Sequence, residues 1–255
     1  MYILAIDTTT NRGSLALARD GVLLEATAGE EHRTHGERLP GDIETLLGRH
    51  GLTTAAIDTF AVARGPGSFT GLRVGIATTQ GLAFAHDRRV VGLSVLDVLA
   101  DIAATRAHTD DAPPDIIAPW VDAKRGEIFS ALYVLRANAD TMPTDHDHRP
   151  GERWHANVGP VAVQPAPLLD TWADHLSDRQ IWILGDGVPG CRPLLEQQLG
   201  ARARLLDNLP LTAGVMAVMA STEPWQTQAA APHALQPLYV RRPDAELARE
   251  RRQKT

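Results

Sequence analysis

Cysteine is nearly missing from this chain: Cys191 is the only one in 255 residues, so no disulfide can form within it. That suits a reducing compartment and excludes the cross-linked scaffolds of small secreted proteins. Long apolar runs are missing as well. No uninterrupted stretch approaches the roughly 18 residues a membrane span needs. The N-terminal run stops at Asp7, without the basic start or the long apolar centre of a secretory leader. The expectation is a soluble cytoplasmic protein with no membrane contact. Positive charge is not in excess either. A formal charge of −6 argues against a protein that wraps nucleic acid, while leaving room for a local basic patch. With 44% hydrophobic and 22% charged residues, the chain can bury a substantial core as one large domain or two lobes.

What is there is a glycine-rich loop, Gly65-Pro66-Gly67-Ser68-Phe69-Thr70-Gly71-Leu72-Arg73, between an apolar strand (59–63) and an apolar helix (71–85). Glycine lets other atoms approach a main chain that has no Cβ. Backbone N–H groups before a helix start suit an anion or a partner, so Gly65, Gly67 and Ser68 are candidate phosphate contacts. Two familiar phosphate loops do not fit. A Walker A loop ends in Gly-Lys-Ser/Thr, and no lysine is present here; the dinucleotide fingerprint needs its third glycine where Thr70 stands. A turn that only tightens a strand-to-helix junction stays open as an alternative.

The rest of the chain alternates strands and helices. Strands at 2–10, 13–18 and 22–25, the last two joined by an Asp20-Gly21 turn, are followed by a helix over about 34–50. After the loop and its helix come a strand at 90 and a helix over 94–106. The polar run His108–Pro114 marks a lobe boundary. A second cycle opens with strands at 115–122 and 127–136, and another strand, 181–184, ends in Gly185-Asp186-Gly187. Residues 137–159 read as a polar surface excursion, 211–220 as an apolar helix and 241–255 as a charged, solvated tail. The expected lobes are 1–107, joined by a returning helix near 211–221, and 108–210.

Asp7-Thr8-Thr9 at the end of a buried strand, with a hairpin after it, resembles the first phosphate region of the actin/Hsp70/sugar-kinase fold. Ile6-Asp7-Thr8-Thr9, the loop from Arg64 to Arg73 and Val90-Val91-Gly92 together resemble the TsaB (YeaZ-like) family. So do His35-Gly36-Glu37-Arg38-Leu39-Pro40, Val121–Phe129 and Pro237-Leu238-Tyr239-Val240-Arg241. The resemblance implies that two-lobed α/β fold, with mixed sheets flanked by helices. It also implies a scaffold or activating subunit for synthesis of threonylcarbamoyladenosine in tRNA, working with a metal-bearing TsaD-like paralogue and a TsaE-like ATPase. A homodimer is expected when the chain is alone, and tRNA is expected to be reached through the complex. ATP or ADP is a candidate ligand, with hydrolysis left to the separate subunit. Its contacts would be Asp7, Thr8 and Thr9 on one side and Gly185 and Asp186 on the other; these could equally be inherited folding features whose ligand has been lost.

The catalytic relative carries two histidines four apart on the helix after the strand that resembles Val90-Val91-Gly92, and one metal ion fits such a pair. Here the matching positions are Val95 and Leu99, which cannot ligate a metal. No catalytic residue and no metal site is therefore expected. An ATP-dependent kinase or carbamoyltransferase of the same fold is the alternative, and a metallopeptidase fits least. His32 and His35 read as a solvated helix start, and Asp145-His146-Asp147-His148 as an adventitious ion site.

The 71–85 helix is apolar nearly all round, whereas a helix with one face in water carries a broad polar stripe. Either the same chain covers it or a partner does. The partner is the expectation here, with Gly71, Leu72, Arg73, Gly75, Ile76, Gln80 and Phe84 as the contact surface.

Overall fold

The computed structural model describes residues 1–135 and 154–241. The expectations for Asp145–His148, for 137–153 and for the tail after Arg241 lie outside the described residues.

Two five-stranded sheets repeat one topology. In the first, β1 (Tyr2–Asp7), β2 (Ser14–Arg19) and β3 (Val22–Ala28) form an antiparallel meander. Then β4 (Thr59–Gly65) and β5 (Arg89–Ser94) add in parallel beside β1, giving the order 3-2-1-4-5. In the second sheet β6 (Ile116–Asp122), β7 (Ile128–Leu135) and β8 (Trp154–Val163) are the meander. There β9 (Ile181–Leu184) and β10 (Ala203–Leu206) are the parallel additions, giving 8-7-6-9-10. This is the duplicated actin/Hsp70/sugar-kinase architecture, in which the second cycle copies the first in topology without copying its sequence.

Helices fill the remaining layers. The outer face of the first sheet carries α1 (His35–Arg49) and α2 (Phe69–Ala85). Between the sheets lie α3 (Val95–Ala107) and α7 (Thr212–Met219). The outer face of the second sheet carries α4 (Pro165–Thr171), α5 (Ala173–Leu176) and α6 (Val188–Leu199). A short α8 (Glu223–Gln226) follows. Strands covered on both faces need no polar alternation, so β1, β4 and β6 read as continuous apolar runs. Helix α1 starts where its residues dictate. Thr34 is the N-cap, Glu37 returns a carboxylate to the Thr34 N–H at 2.9 Å, and the helix is amphipathic with Leu39, Ile43, Leu46 and Leu47 buried.

One element differs from the sequence expectation. Residues 154–159, taken as part of a surface excursion, belong to β8, which pairs with β7 at the edge of the second sheet. Pro160 sits within it, and an edge strand tolerates a residue that cannot donate to the ladder.

Candidate functional site

The C-terminal ends of the parallel strands β1, β4, β6 and β9 converge on a crevice between the two sheets. That is the position where open α/β sheets present ligands. An extended strap, Leu235–Arg241, crosses from one side to the other. Its Leu238 N–H donates to the Arg64 carbonyl at 2.6 Å, and Arg241 bonds the Ala123 carbonyl at 3.0 Å and the Glu127 carboxylate.

The glycine loop is seated against the end of β1. The Ser68 N–H donates to the Thr9 carbonyl at 2.8 Å, and the Thr8 hydroxyl to the Gly71 carbonyl at 2.8 Å. A Cβ on Gly71 would lie 2.0 Å from the Thr8 carbonyl oxygen, and one on Gly67 2.5 Å from Thr9 Cβ. Glycine is required here so that the start of α2 can touch β1. The Gly65-Pro66 peptide is cis.

Two chambers result. The outer cleft, about 930 Å³, is bounded by Thr9, Gly67, Ser68, Arg73, Lys124 and Asp186 among others. The inner chamber, about 230 Å³, shares Thr9, Thr10, Arg12 and Asp186 with it and is also lined by Asp7, Gly185, Val95 and Leu99. Of the candidate phosphate contacts, Asp7, Thr9, Gly67, Ser68, Gly185 and Asp186 therefore come together at the crevice. Thr8 and Gly65 do not: Thr8 is buried against α2, and Gly65 lies against the strap, its Cβ position 2.7 Å from the Leu238 carbonyl oxygen.

Asp7 is not the open strand-end carboxylate expected. It is 2% exposed, takes the Thr9 N–H at 2.8 Å and the Thr9 hydroxyl at 2.6 Å on one oxygen, and takes the Thr212 hydroxyl from α7 on the other. Across the crevice, Asp186 accepts the Asp122 N–H at 2.9 Å. Burial pushes the Asp186 carboxyl above its ordinary range, and the nearby charges of Asp122 and Asp7 add to this. Burial also works against ionisation of Asp122. The Lys124 ammonium, 2.7 Å away, and the Lys124 N–H outweigh it and hold that carboxyl below its usual value. Lys124 is correspondingly raised by its bond to Asp122.

The residues do not fit a metal centre of the two-histidine kind. Val95 and Leu99 form an aliphatic wall of the inner chamber, each 4% exposed, and neither carries a donor atom. Among the described residues no group of three His, Cys, Asp or Glu is arranged to hold an ion. His35 is committed elsewhere, with Nε2 2.8 Å from the Thr10 carbonyl and Nδ1 2.9 Å from Arg38 Nη2. Cys191 is half-buried in α6, and burial pushes its thiol up.

The expected contact surface on α2 divides in two. Gly71, Leu72, Gly75 and Ile76 are buried by the chain itself, with Ile76 (6% exposed) in the core that α1 shares with the first sheet. Gln80 is half-buried and donates to the Pro232 and Leu235 carbonyls at the strap's start. The partner expectation is thus corrected for these five residues: the cover is internal. Arg73 and Phe84 remain on the surface, and Phe84 is 82% exposed. The sequence reading gave no site role to Arg12, Lys124, Arg125, Tyr239 or Arg241, which also line the outer cleft. The signal available was that the last four fall inside motifs already singled out.

Comparison with known proteins agrees with this picture. The family model of tRNA N6-adenosine threonylcarbamoyltransferase (TsaD) matches residues 23–152. The tRNA threonylcarbamoyladenosine biosynthesis protein TsaB of Haemophilus influenzae is 29% identical over 245 residues, 94% of each chain. TsaB of Escherichia coli is 36% identical over 133 residues, 52% of this chain and 55% of that one. Among solved structures, an uncharacterized Pseudomonas aeruginosa protein with similarity to the peptidase YeaZ superposes with a TM-score of 0.69 at 26% identity. It covers 94% of this chain and 99% of its own.

Proposed function

The chain belongs to the TsaB (YeaZ-like) family, and from that membership we propose that it is a non-catalytic subunit of the assembly that makes threonylcarbamoyladenosine in tRNA. It takes part in the biosynthesis for which its relatives are named. Its own role is to support a TsaD-like paralogue that performs the transfer, with ATP hydrolysed by a TsaE-like subunit and the work done in the cytoplasm. The observation that carries this reading is the aliphatic wall formed by Val95 and Leu99 where the paralogue has its histidine pair. With no Lewis acid held there, no group at this position polarises a carbamoyl carbonyl. Among the described residues no helix is long and apolar enough to cross a membrane.

The proposed lobes are 1–107 with the returning α7, and 108–210. The proposed partner surface is what α2 leaves outside, centred on Phe84 and Arg73, and it serves a homodimer when the paralogue is absent. Any ADP or ATP bound at the crevice meets Thr9, Gly67, Ser68 and Asp186, and is held without being turned over. Depleting the chain in cells tests the reading. Threonylcarbamoyladenosine in total tRNA, measured by mass spectrometry of nucleosides, falls and returns with the wild-type gene. Unchanged levels after depletion refute it.

A further inference from the structure

The outer cleft holds a set of side chains of which the subunit reading gives a task to Arg73 alone, on the partner surface. Where the start of α2 meets the strap, the Phe69 and Tyr239 rings lie 5.2 Å apart between centroids, and they are 37% and 39% exposed. The Arg73 guanidinium sits 4.0 Å from the centre of the Phe69 ring, with Nε 3.4 Å from the Tyr239 hydroxyl. Exposed aromatic faces joined to a guanidinium plane are a stacking platform.

The facing wall is the β6–β7 turn. Lys124 and Arg125 both take left-handed backbone conformations, with φ of 61° and 60°, and both are exposed at the cleft. That is the backbone of a tight hairpin turn, and it is uncommon for residues other than glycine, asparagine and aspartate. Arg12 lines the same cleft from the turn between β1 and β2. These cations are partly balanced: Lys124 pairs with Asp122 at 2.7 Å and Arg12 lies 3.8 Å from Glu31. An anionic ligand must displace those carboxylates, so its binding is modest and salt-sensitive. The inner chamber suits phosphate less well: it is small, two carboxylates, Asp7 and Asp186, line it, and Val95, Leu99, Val121, Leu209 and Leu211 form much of its wall.

We propose that the outer cleft binds single-stranded RNA, with a base stacked on Phe69 and Tyr239 and the adjoining phosphates on Lys124, Arg125 and Arg12. An acidic peptide would use the cations and leave the rings idle, whereas an unpaired nucleotide uses both. The proposal rests on the subunit reading for the source of the strand, the unpaired loop of a tRNA. It concerns direct contact by this chain, which the reading does not require.

The test is fluorescence anisotropy on the purified full-length chain, with a labelled anticodon stem-loop, a fully paired duplex of equal length, ADP and polyglutamate. The stem-loop is expected to bind, weaken as salt rises, and outcompete the duplex. Tyr239→Ala and the Lys124→Ala/Arg125→Ala pair are each expected to weaken it about tenfold, while Tyr239→Phe retains binding. Circular dichroism checks folding, and the lysine–arginine pair, on an exposed turn, keeps the test decisive if Tyr239→Ala misfolds. No stem-loop binding at low salt overturns the proposal. So does binding indifferent to these variants, displacement by polyglutamate with the ring variant neutral (a peptide site), or saturation by ADP alone (a free-nucleotide site). Each of those outcomes with a normal fall in modified adenosine on depletion removes this proposal and leaves the subunit reading standing.

Discussion

One substitution made at two places on α2 should have opposite effects. Gly81→Ala faces open space, with no atom within 4 Å of the new Cβ. It exchanges a flexible residue for the best helix former in an exposed helix interior, and should stabilise by about 0.5–1 kcal/mol. Gly71→Ala puts the same methyl 2.0 Å from the Thr8 carbonyl oxygen, a backbone atom that cannot rotate away. The first turn of α2 must withdraw from β1 by more than an ångström. That overpacking costs about 1–3 kcal/mol. It also breaks the buried bond from the Thr8 hydroxyl to the Gly71 carbonyl, for about another 1–3 kcal/mol. Less a propensity gain of up to about 1 kcal/mol, the net destabilisation centres near 3 kcal/mol. For a chain of this size that corresponds to a melting temperature lower by roughly 6–12 °C. Urea and thermal unfolding followed by circular dichroism measure both variants. A Gly71→Ala protein as stable as wild type would show that the loop is not pressed onto β1 and would remove the reason given for its glycines.

Further outcomes follow from the same packing. Ile76→Glu buries a carboxylate among α1 and first-sheet side chains and should cost several kcal/mol, seen as a collapsed unfolding midpoint; a folded Ile76→Glu monomer would place Ile76 at a partner surface instead. Asp7→Ala strips the acceptor from Thr9 and Thr212 and should lower stability by about 1–3 kcal/mol in urea titration, in contrast to an open cleft carboxylate. Burial, and the Arg38 charge after it, hold the His35 imidazole below its ordinary value. The unfolded chain therefore binds the extra proton first, and stability falls as pH drops from about 7 towards 5. Equilibrium unfolding across that window should show a shallower loss for His35→Gln, and equal slopes would contradict the assignment.

Much of the fold was legible because local chemistry and global position agree. Thr34 and Glu37 announce the start of α1, and Asp20-Gly21 fixes the first hairpin, with Asp20 at φ 51° and Gly21 at 82°. The crevice residues Asp7, Thr9, Gly67 and Asp186 were readable because each ends an apolar strand or follows one within two residues. What was hidden depends on contacts distant in sequence. Gly159 and Pro160 disguise β8, since an edge strand obeys looser rules than an internal one. The strap has no periodicity and gains its place from residues distant in sequence, among them Arg64, Gln80, Ala123 and Glu127. An all-round apolar α2 cannot tell from sequence whether its cover is internal; Thr8 and the first-sheet core supply it for Gly71, Gly75 and Ile76. Asp7 looked available because the donor of its third hydrogen bond, Thr212, stands 205 residues away.

The central claim, a required but non-catalytic subunit, is tested most directly by omit-one reconstitution on unmodified tRNA. The chain, its TsaD-like paralogue and the TsaE-like ATPase are purified separately and supplied with a threonylcarbamoyl donor, and modified adenosine is counted by mass spectrometry. The account predicts no product from this chain without the paralogue, whatever divalent metal is added, and a loss of product when this chain alone is left out. Product formed by this chain without the paralogue, at a rate matching the full mixture, would contradict it.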